Sequence, residues 1–284
     1  MKILLKDRTI ESNGRMLVMG IHNATPDSFS DGGRYSNIKD AVKHCLQMVD
    51  EGADIIDIGG ESTRPGDISQ ISPEEEINRI LPVIKGLKAA RPDCLISIDT
   101  MKSEVAEKAI MAGADIINDV SGLKYSSLMA EIAAKYRAGI ILMHMKGEPK
   151  SKLTTYEYGN LLEDICKELG VISERAFQEG VRKESIILDP GLGGGSFGKT
   201  KEQSLTLLAK IGRLKELGYP VIIGASRKGF IGDIIGESIP SQRVFGNLGA
   251  AAWALSRNLD IIRVHDVKAT VQLIKVYDNI KKYS

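Results

Sequence analysis

Eight short apolar runs recur along this chain, each about as long as a buried strand, with longer amphipathic stretches between them. They read MLVMGI (16–21), DIIDIGG (54–60), LISIDT (95–100), DIINDV (115–120), GIILMHM (139–145), SIILDPG (185–191), PVIIGAS (220–226) and DIIRVHDV (260–267). Near-continuous β-branched runs belong to strands covered on both faces, hence to a parallel sheet, which needs a crossover after every strand. The intervening segments read as those crossovers. SPEEEINRILPVIKGLKAA opens on Ser72, with Pro73 at the first helical position and Glu75 at capping-box spacing. KSEVAEKAIMAGAD and NLLEDICKELGVISERAFQEG carry glycines suited to a helix C-terminus. Eight such units in about 250 residues predict an α/β protein, a single (β/α)8 barrel spanning residues 1–284 as one domain. An open doubly wound sheet is the alternative.

Composition narrows the partners. Lys and Arg number 38 against 37 Asp and Glu, which leaves no basic surplus to attract nucleic acid or an anionic membrane. Cys45, Cys94 and Cys166 are far apart and form neither a metal-type pair nor a disulfide framework, which points to a reducing, cytoplasmic setting. The run before Lys6 is too short for a signal-peptide core, and no run approaches the length of a membrane span.

In a (β/α)8 barrel the functional groups sit at the C-terminal ends of the strands. Here each of those ends is polar: HNATPDSFSDGG, GGESTRPGD, Asp99-Thr100, Asn118-Asp119, His144, Asp189, SRKG and RVHD. A helix cap explains an isolated polar residue in such a place, Ser103 for instance, but not convergence of them all on one mouth. Asp99, Asn118 and Asp189 crowd a narrow cavity, where a carboxylate is costly unless paired. They suit a ligand rich in N–H donors, such as a guanidine-like heterocycle; a salt bridge to Lys228 is the bland alternative. Arg263 and His265, two apart on the last strand, point to one side, and the last two strands of barrels commonly supply a phosphate site. His144, between two methionines, reads as a packed strand-end histidine rather than a metal ligand.

GGGSFGKT (193–200) fits the P-loop pattern, and its first six residues fit the dinucleotide fingerprint. A P-loop follows its strand directly, whereas Pro190-Gly191-Leu192 intervene after Asp189. The dinucleotide fingerprint should open a first βα unit, and this loop is the sixth. The expectation is a βα-loop that binds no nucleotide and carries Phe197 and Lys199 over the barrel mouth.

NATPDSFSDGG, GGESTRPG, SIDT, IINDV, MHMKGEPK, LDPG, SRK and RVHDV, in this order between about Met16 and Val267, resemble the dihydropteroate synthase family of folate biosynthesis. The resemblance implies a barrel that condenses 6-hydroxymethyl-7,8-dihydropterin diphosphate with p-aminobenzoate, giving 7,8-dihydropteroate and pyrophosphate. Residue by residue, it implies that Asp99, Asn118, Asp189 and Lys228 hold the pterin. Asn23, Arg263 and His265 would hold the diphosphate, with Asn23 also contacting Mg2+. Thr63, Arg64 and Pro65 would form the p-aminobenzoate site with Phe29 and Asp31, and the loop carrying Phe197 would make one wall of it. Asn23, Asp31, Arg64, Lys228 and Arg263 are the implied catalytic set. Family members are usually homodimers through helices near the end of the barrel, and GNLGAAAWALSRN suits such a surface or the barrel core.

The chain departs from the family pattern in three places. His22 and Ala24 stand where aliphatic residues are usual, Gly229 stands where serine is common, and LDPGLGGGSFGKT is lengthened before Phe197. The longer loop is expected to displace Phe197 and reduce sensitivity to sulfonamides. Two other functions compete. A methyltransferase passing a methyl group from a folate to a corrinoid protein would not need TPDSFSDGG or ESTRPG. A catalytically inactive pterin-binding paralogue would be expected to lose loop residues or Arg263.

Overall fold

The structure, a computed structural model, describes all residues except 7, 25–33, 62–70, 148–155, 195–196 and 284, and all described side chains except those of 34–37. Two short antiparallel strands, β1 (Lys2–Leu5) and β2 (Arg8–Glu11), precede eight parallel ones. These are β3 (Leu17–Asn23), β4 (Ile55–Gly59), β5 (Leu95–Asp99), β6 (Ile116–Asp119), β7 (Gly139–Met143), β8 (Ile186–Asp189), β9 (Ile222–Ile223) and β10 (Ile261–Val264). Seven of them lie within their predicted runs, and β3 begins inside the first run, 16–21, and continues two residues beyond it to Asn23.

The helices between and after them are α1 (Arg34–Asp50), α2 (Pro73–Ala90), α3 (Ser103–Met111), α4 (Met129–Lys135), α5 (Leu161–Gln178), α6 (Lys201–Ala209), α7 (Gly229–Ile235), α8 (Val244–Ser256) and α9 (Val267–Lys281). The sheet runs β8-β7-β6-β5-β4-β3-β10-β9. Its two edges meet where Leu188 bridges Val221 and the Leu188 N–H donates to the Pro220 carbonyl at 2.9 Å. That seam makes the sheet a barrel and decides against the open doubly wound alternative.

Local signals act as their chemistry suggests. Ser72 Oγ accepts the Glu75 N–H at 3.2 Å, with Pro73 opening α2. Asn160 caps α5 by accepting from the Glu163 N–H. Ser103 is a correction: Lys102 occupies the cap position of α3, and Ser103 Oγ instead accepts a hydrogen bond from Ser126 Oγ at 2.8 Å. The N-terminal residues have a structural use. Ile3 and Leu5 of β1 are fully buried against Leu17, Met19, Ile55, Ile116, Ile141, Ile187, Ile222 and Ile261, so the hairpin plugs the N-terminal end of the barrel. No described helix is long and apolar enough to cross a membrane.

Strand alternation fixes what lies above that plug. Side chains two apart share a face, so the strands that send Ile55, Ile116, Ile187 and Ile261 inward send Asp57, Asn118, Asp189 and Arg263 inward one step later. The register aligns these steps: Asp57 lies beside Ser97, and Asp99 lies beside both Gly59 and Asn118.

Candidate active site

The polar layer is organised around Arg263. Its Nε donates to Asp57 Oδ2 at 2.6 Å and its Nη2 to Asp99 Oδ2 at 2.7 Å, while Asn118 Nδ2 donates to the same Asp57 oxygen at 3.1 Å. Asp57, Asp99, Asn118 and Asp189 are all buried. Asp99 is thus ion-paired with Arg263, while the charge acting most strongly on Lys228 is that of Asp189. Burial pushes the Asp99 carboxyl up to about 7, against the pull of Arg263 toward the ionised form. Burial also raises Asp189, opposed by the Gly191 N–H, which donates to Asp189 Oδ1 at 2.7 Å. Gly191 itself has φ +68° and lies so close to the His144 carbonyl that a Cβ would come within 2.3 Å of it, which explains the glycine of LDPG.

Lys228 closes the ring from the loop after β9. Its Nζ donates to the Leu192 carbonyl and sits 4.1 Å from the centroid of the Phe197 ring, whose other neighbours include Met101, Val120, Met143 and Met145. Burial pushes its ammonium down to about 8. The SRK run therefore splits: Lys228 turns inward, while Arg227, at φ +60°, pairs with Asp266 at 2.7 Å. His265 shares a strand face with Arg263 but meets Ser226 Oγ, 3.0 Å from its Nδ1. Burial, with Arg227 and Arg263 nearby, pushes His265 down to about 3, so the ring is neutral and can offer a hydrogen bond but no charge. Asn23 ends β3 opposite Gly59, exposed at the rim. Asp119 serves its own turn, accepting from the Ser121 and Leu123 N–H groups, and caps no helix, since α4 begins only at Met129.

Lys199 is a further correction. It does not lie over the mouth: its side chain is 2% exposed, with Nζ 3.1 Å from His144 Nδ1, 3.3 Å from the Phe197 carbonyl and 3.4 Å from the His144 carbonyl. Thr200 opens α6 with a complete capping box, its Oγ1 accepting from the Gln203 N–H and its own N–H donating to Gln203 Oε1. Neither side chain is placed as a P-loop requires. His144 is fully buried with Nε2 3.1 Å from Glu168 Oε2, the packed strand-end histidine that the sequence suggested.

The sequence matches the family described as pterin binding enzyme over residues 19–265. A dihydropteroate synthase of a Synechocystis species is 45% identical over 264 residues, 93% of this chain and 90% of the relative. A Xanthomonas albilineans dihydropteroate synthase solved with 4-aminobenzoic acid superposes with a TM-score of 0.90 at 40% identity, covering 99% of this chain and 98% of that one. The same organism's enzyme in complex with 7,8-dihydropteroate gives 0.87 at 37% identity, covering 99% of each chain. The chain belongs to the dihydropteroate synthase family of pterin binding enzymes.

For a dihydropteroate synthase family member, the site residues inferred from sequence divide in two. Asp99, Asn118, Asp189, Lys228 and Arg263 are assembled at the C-terminal mouth, with Phe197 against Lys228 and with Asn23 and His265 at strand ends on the same side. Phe29, Asp31, Thr63, Arg64 and Pro65 lie outside the described residues, as do Gly195 and Ser196 of the lengthened loop.

Two groups escaped sequence reasoning. Asp57 is fully buried and shares Arg263, and its Oδ1 has no hydrogen-bond partner among the described residues. Its signal was available: a charged residue at the inward step of DIIDIGG, two after Ile55. The other is Lys102, which donates to Glu61 at 3.0 Å and to Glu76 at 2.6 Å, while Glu61 also accepts the Ile71 N–H at 3.1 Å. Glu61 thereby ties together the two described ends of the segment that holds Thr63, Arg64 and Pro65. Nothing in the local sequence pairs these residues, because the contact joins three separate elements.

Proposed function

We propose that the chain condenses 6-hydroxymethyl-7,8-dihydropterin diphosphate with p-aminobenzoate, releasing 7,8-dihydropteroate and pyrophosphate. The observation that carries this reading is the buried set of Asp57, Asp99, Asn118 and Asp189 around Arg263 and Lys228. Carboxylates and an amide held at one depth, with an acceptor oxygen still available on Asp57, suit the adjacent N–H donors of a pterin. Lys228 would meet its ring carbonyl or nitrogen acceptors from the opposite wall.

In the reaction, the amine nitrogen attacks the pterin methylene carbon, the C–N bond forms, and the C–O bond breaks with its electron pair leaving on pyrophosphate. The amine proton passes to solvent or to a phosphate oxygen. An aniline is a weak nucleophile, so the protein must chiefly stabilise charge on the leaving group. Arg263 is suited to this because Asp57 and Asp99 fix its guanidinium from two sides before substrate arrives. Neutral His265 adds a hydrogen bond. Thr63, Arg64, Pro65, Phe29 and Asp31 are assigned to the amine substrate by the family resemblance.

Among the described residues no group of three or more His, Cys, Asp or Glu could hold a metal ion. Mg2+ would arrive with its substrate, since this ion keeps several waters and commonly takes phosphate oxygens plus one or two protein ligands. Asn23, exposed at the rim with a hard amide oxygen, would be such a ligand. When bound, the ion would neutralise charge on the leaving diphosphate.

The test is stoichiometric formation of dihydropteroate and pyrophosphate from the two substrates with Mg2+. Binding of the pterin diphosphate without product would favour an inactive paralogue, and methyl transfer to a corrinoid protein would replace the reading altogether. Lys228→Ala should weaken binding of the pterin diphosphate alone, whereas Arg64→Ala should harm use of the amine and leave that binding intact. A homodimer through α8 belongs to the same proposal: Phe245 (82% exposed), Gly249 and Trp253 (41%) form one outward line at helical spacing. Sedimentation should then give twice the chain mass. We place the enzyme in the cytoplasm with small-molecule substrates, and with neither nucleic acid nor membrane as partner.

A further inference from the structure

Lys199 has no part in the mechanism above, yet it is one of the most deeply buried lysines in the described structure. Its Nζ is enclosed by acceptors from two places in the chain. His144 Nδ1 and the His144 carbonyl stand just past the end of β7, and the Phe197 carbonyl lies two residues back along its own loop. Behind His144, Nε2 meets Glu168 of α5, whose other oxygen accepts from Lys146 at 2.6 Å. In front, the Phe197 ring covers the Lys228 ammonium at 4.1 Å.

A methionine would fill such a site without the cost of burying a cation. A lysine there supplies several N–H donors from one atom, and burial pushes it down to about 7, where ammonium and neutral amine both still donate to carbonyls. We propose that Lys199 is a positioning residue that pins the main chain of Phe197 to His144 beyond β7, and so holds the Phe197 ring over Lys228. The importance of this pin for the reaction rests on the reading of Lys228 as a pterin-holding group. The pin itself does not.

A substrate-free experiment tests it. The acetylation rate of Lys228 by acetic anhydride is followed by peptide mass spectrometry in the wild type, Lys199→Met, Phe197→Ala and the double variant. Each single variant should speed labelling by about tenfold, the scale of an ammonium–ring contact taken out of water. The double variant should label no faster than Phe197→Ala, because Lys199 acts through that ring. Lys199→Gln keeps an N–H donor group, though with fewer donors and a shorter reach, and should fall between the wild type and Lys199→Met, and it serves if Lys199→Met fails to fold. Wild-type labelling in both Lys199 variants, or a double variant faster than Phe197→Ala by the full factor of Lys199→Met, would overturn the proposal. Failure of the functional reading looks different: the labelling pattern holds, but the wild type neither binds pterin diphosphate nor makes dihydropteroate.

Discussion

On β4, Ile55 and Asp57 both point into the barrel and both are fully buried, but they answer to different demands. Ile55 joins the isoleucines that close on the N-terminal hairpin, a layer whose worth is the apolar surface it removes from water. Asp57 belongs to a layer that folding alone would not choose. Among the described residues its charge is balanced by one arginine, shared with Asp99, and the neighbouring Asp99 and Asp189 carboxyls are raised by burial. A stretch of two residues along one strand separates the part of the barrel built for stability from the part held in readiness for a ligand.

The largest expected effect tests the lower layer. Ile187→Ala leaves a cavity beneath the polar ring and should destabilise the fold by about 2–5 kcal/mol. Urea unfolding would measure this, and calorimetry on the folded fraction should find pterin diphosphate affinity nearly unchanged. A comparable loss of affinity would mean that the two layers are not separable.

Asp189→Asn should behave in the opposite way. An asparagine Oδ1 can still accept the Gly191 N–H, and the cost of burying a charge disappears, so stability should hold or rise. Affinity for the pterin diphosphate should fall by about 1.5–3 kcal/mol, the worth of a hydrogen bond to a charged group. If the variant binds as tightly as the wild type, Asp189 is not a pterin ligand.

A smaller effect should appear in pH dependence. The Lys228 ammonium is held down to about 8 from an ordinary 10.5. Between these values the unfolded chain binds more protons at this site than the folded one, so its contribution to stability grows as pH rises and is lost as pH falls through about 8. The difference in unfolding free energy between wild type and Lys228→Met should therefore shift toward the wild type from pH 8 upward. Lysines common to both proteins cancel in that difference, and a flat one would show that Lys228 is solvated.

The contrast between the layers also explains what the sequence made legible. Strands were readable because both of their faces are apolar at the lower level, and the mouth was readable because Asp99, Asn118, Asp189 and Arg263 interrupt that pattern where a strand ends. Asp57 interrupts it one step earlier, inside the run, where a single charge resembles noise until the register sets it beside Arg263. The β1–β2 hairpin could not be located because its role depends on closing a barrel assembled from strands as far as Ile261. Lys199 was misplaced because loop glycines suggest exposure, and only its contact with His144, more than fifty residues earlier in the chain, buries it.

That misplacement leads to the smallest expected effect, which is none. GGGSFGKT satisfies a phosphate-binding pattern, but such a loop needs its lysine free to reach the β- and γ-phosphates and its hydroxyl free to meet Mg2+. Here the lysine is 2% exposed and engaged with His144 and the Phe197 carbonyl, and the Thr200 hydroxyl is committed to the Gln203 N–H at the start of α6. Freeing both would break a capping box worth about 1 kcal/mol and leave a buried histidine nitrogen and two carbonyls without their shared donor. An ATP phosphate would have to offset that loss before contributing any affinity. Wild type and Lys199→Ala should accordingly show the same absence of ATP binding by calorimetry with Mg2+. Tight binding that Lys199→Ala abolishes would instead mean that this loop leaves its buried arrangement for a nucleotide.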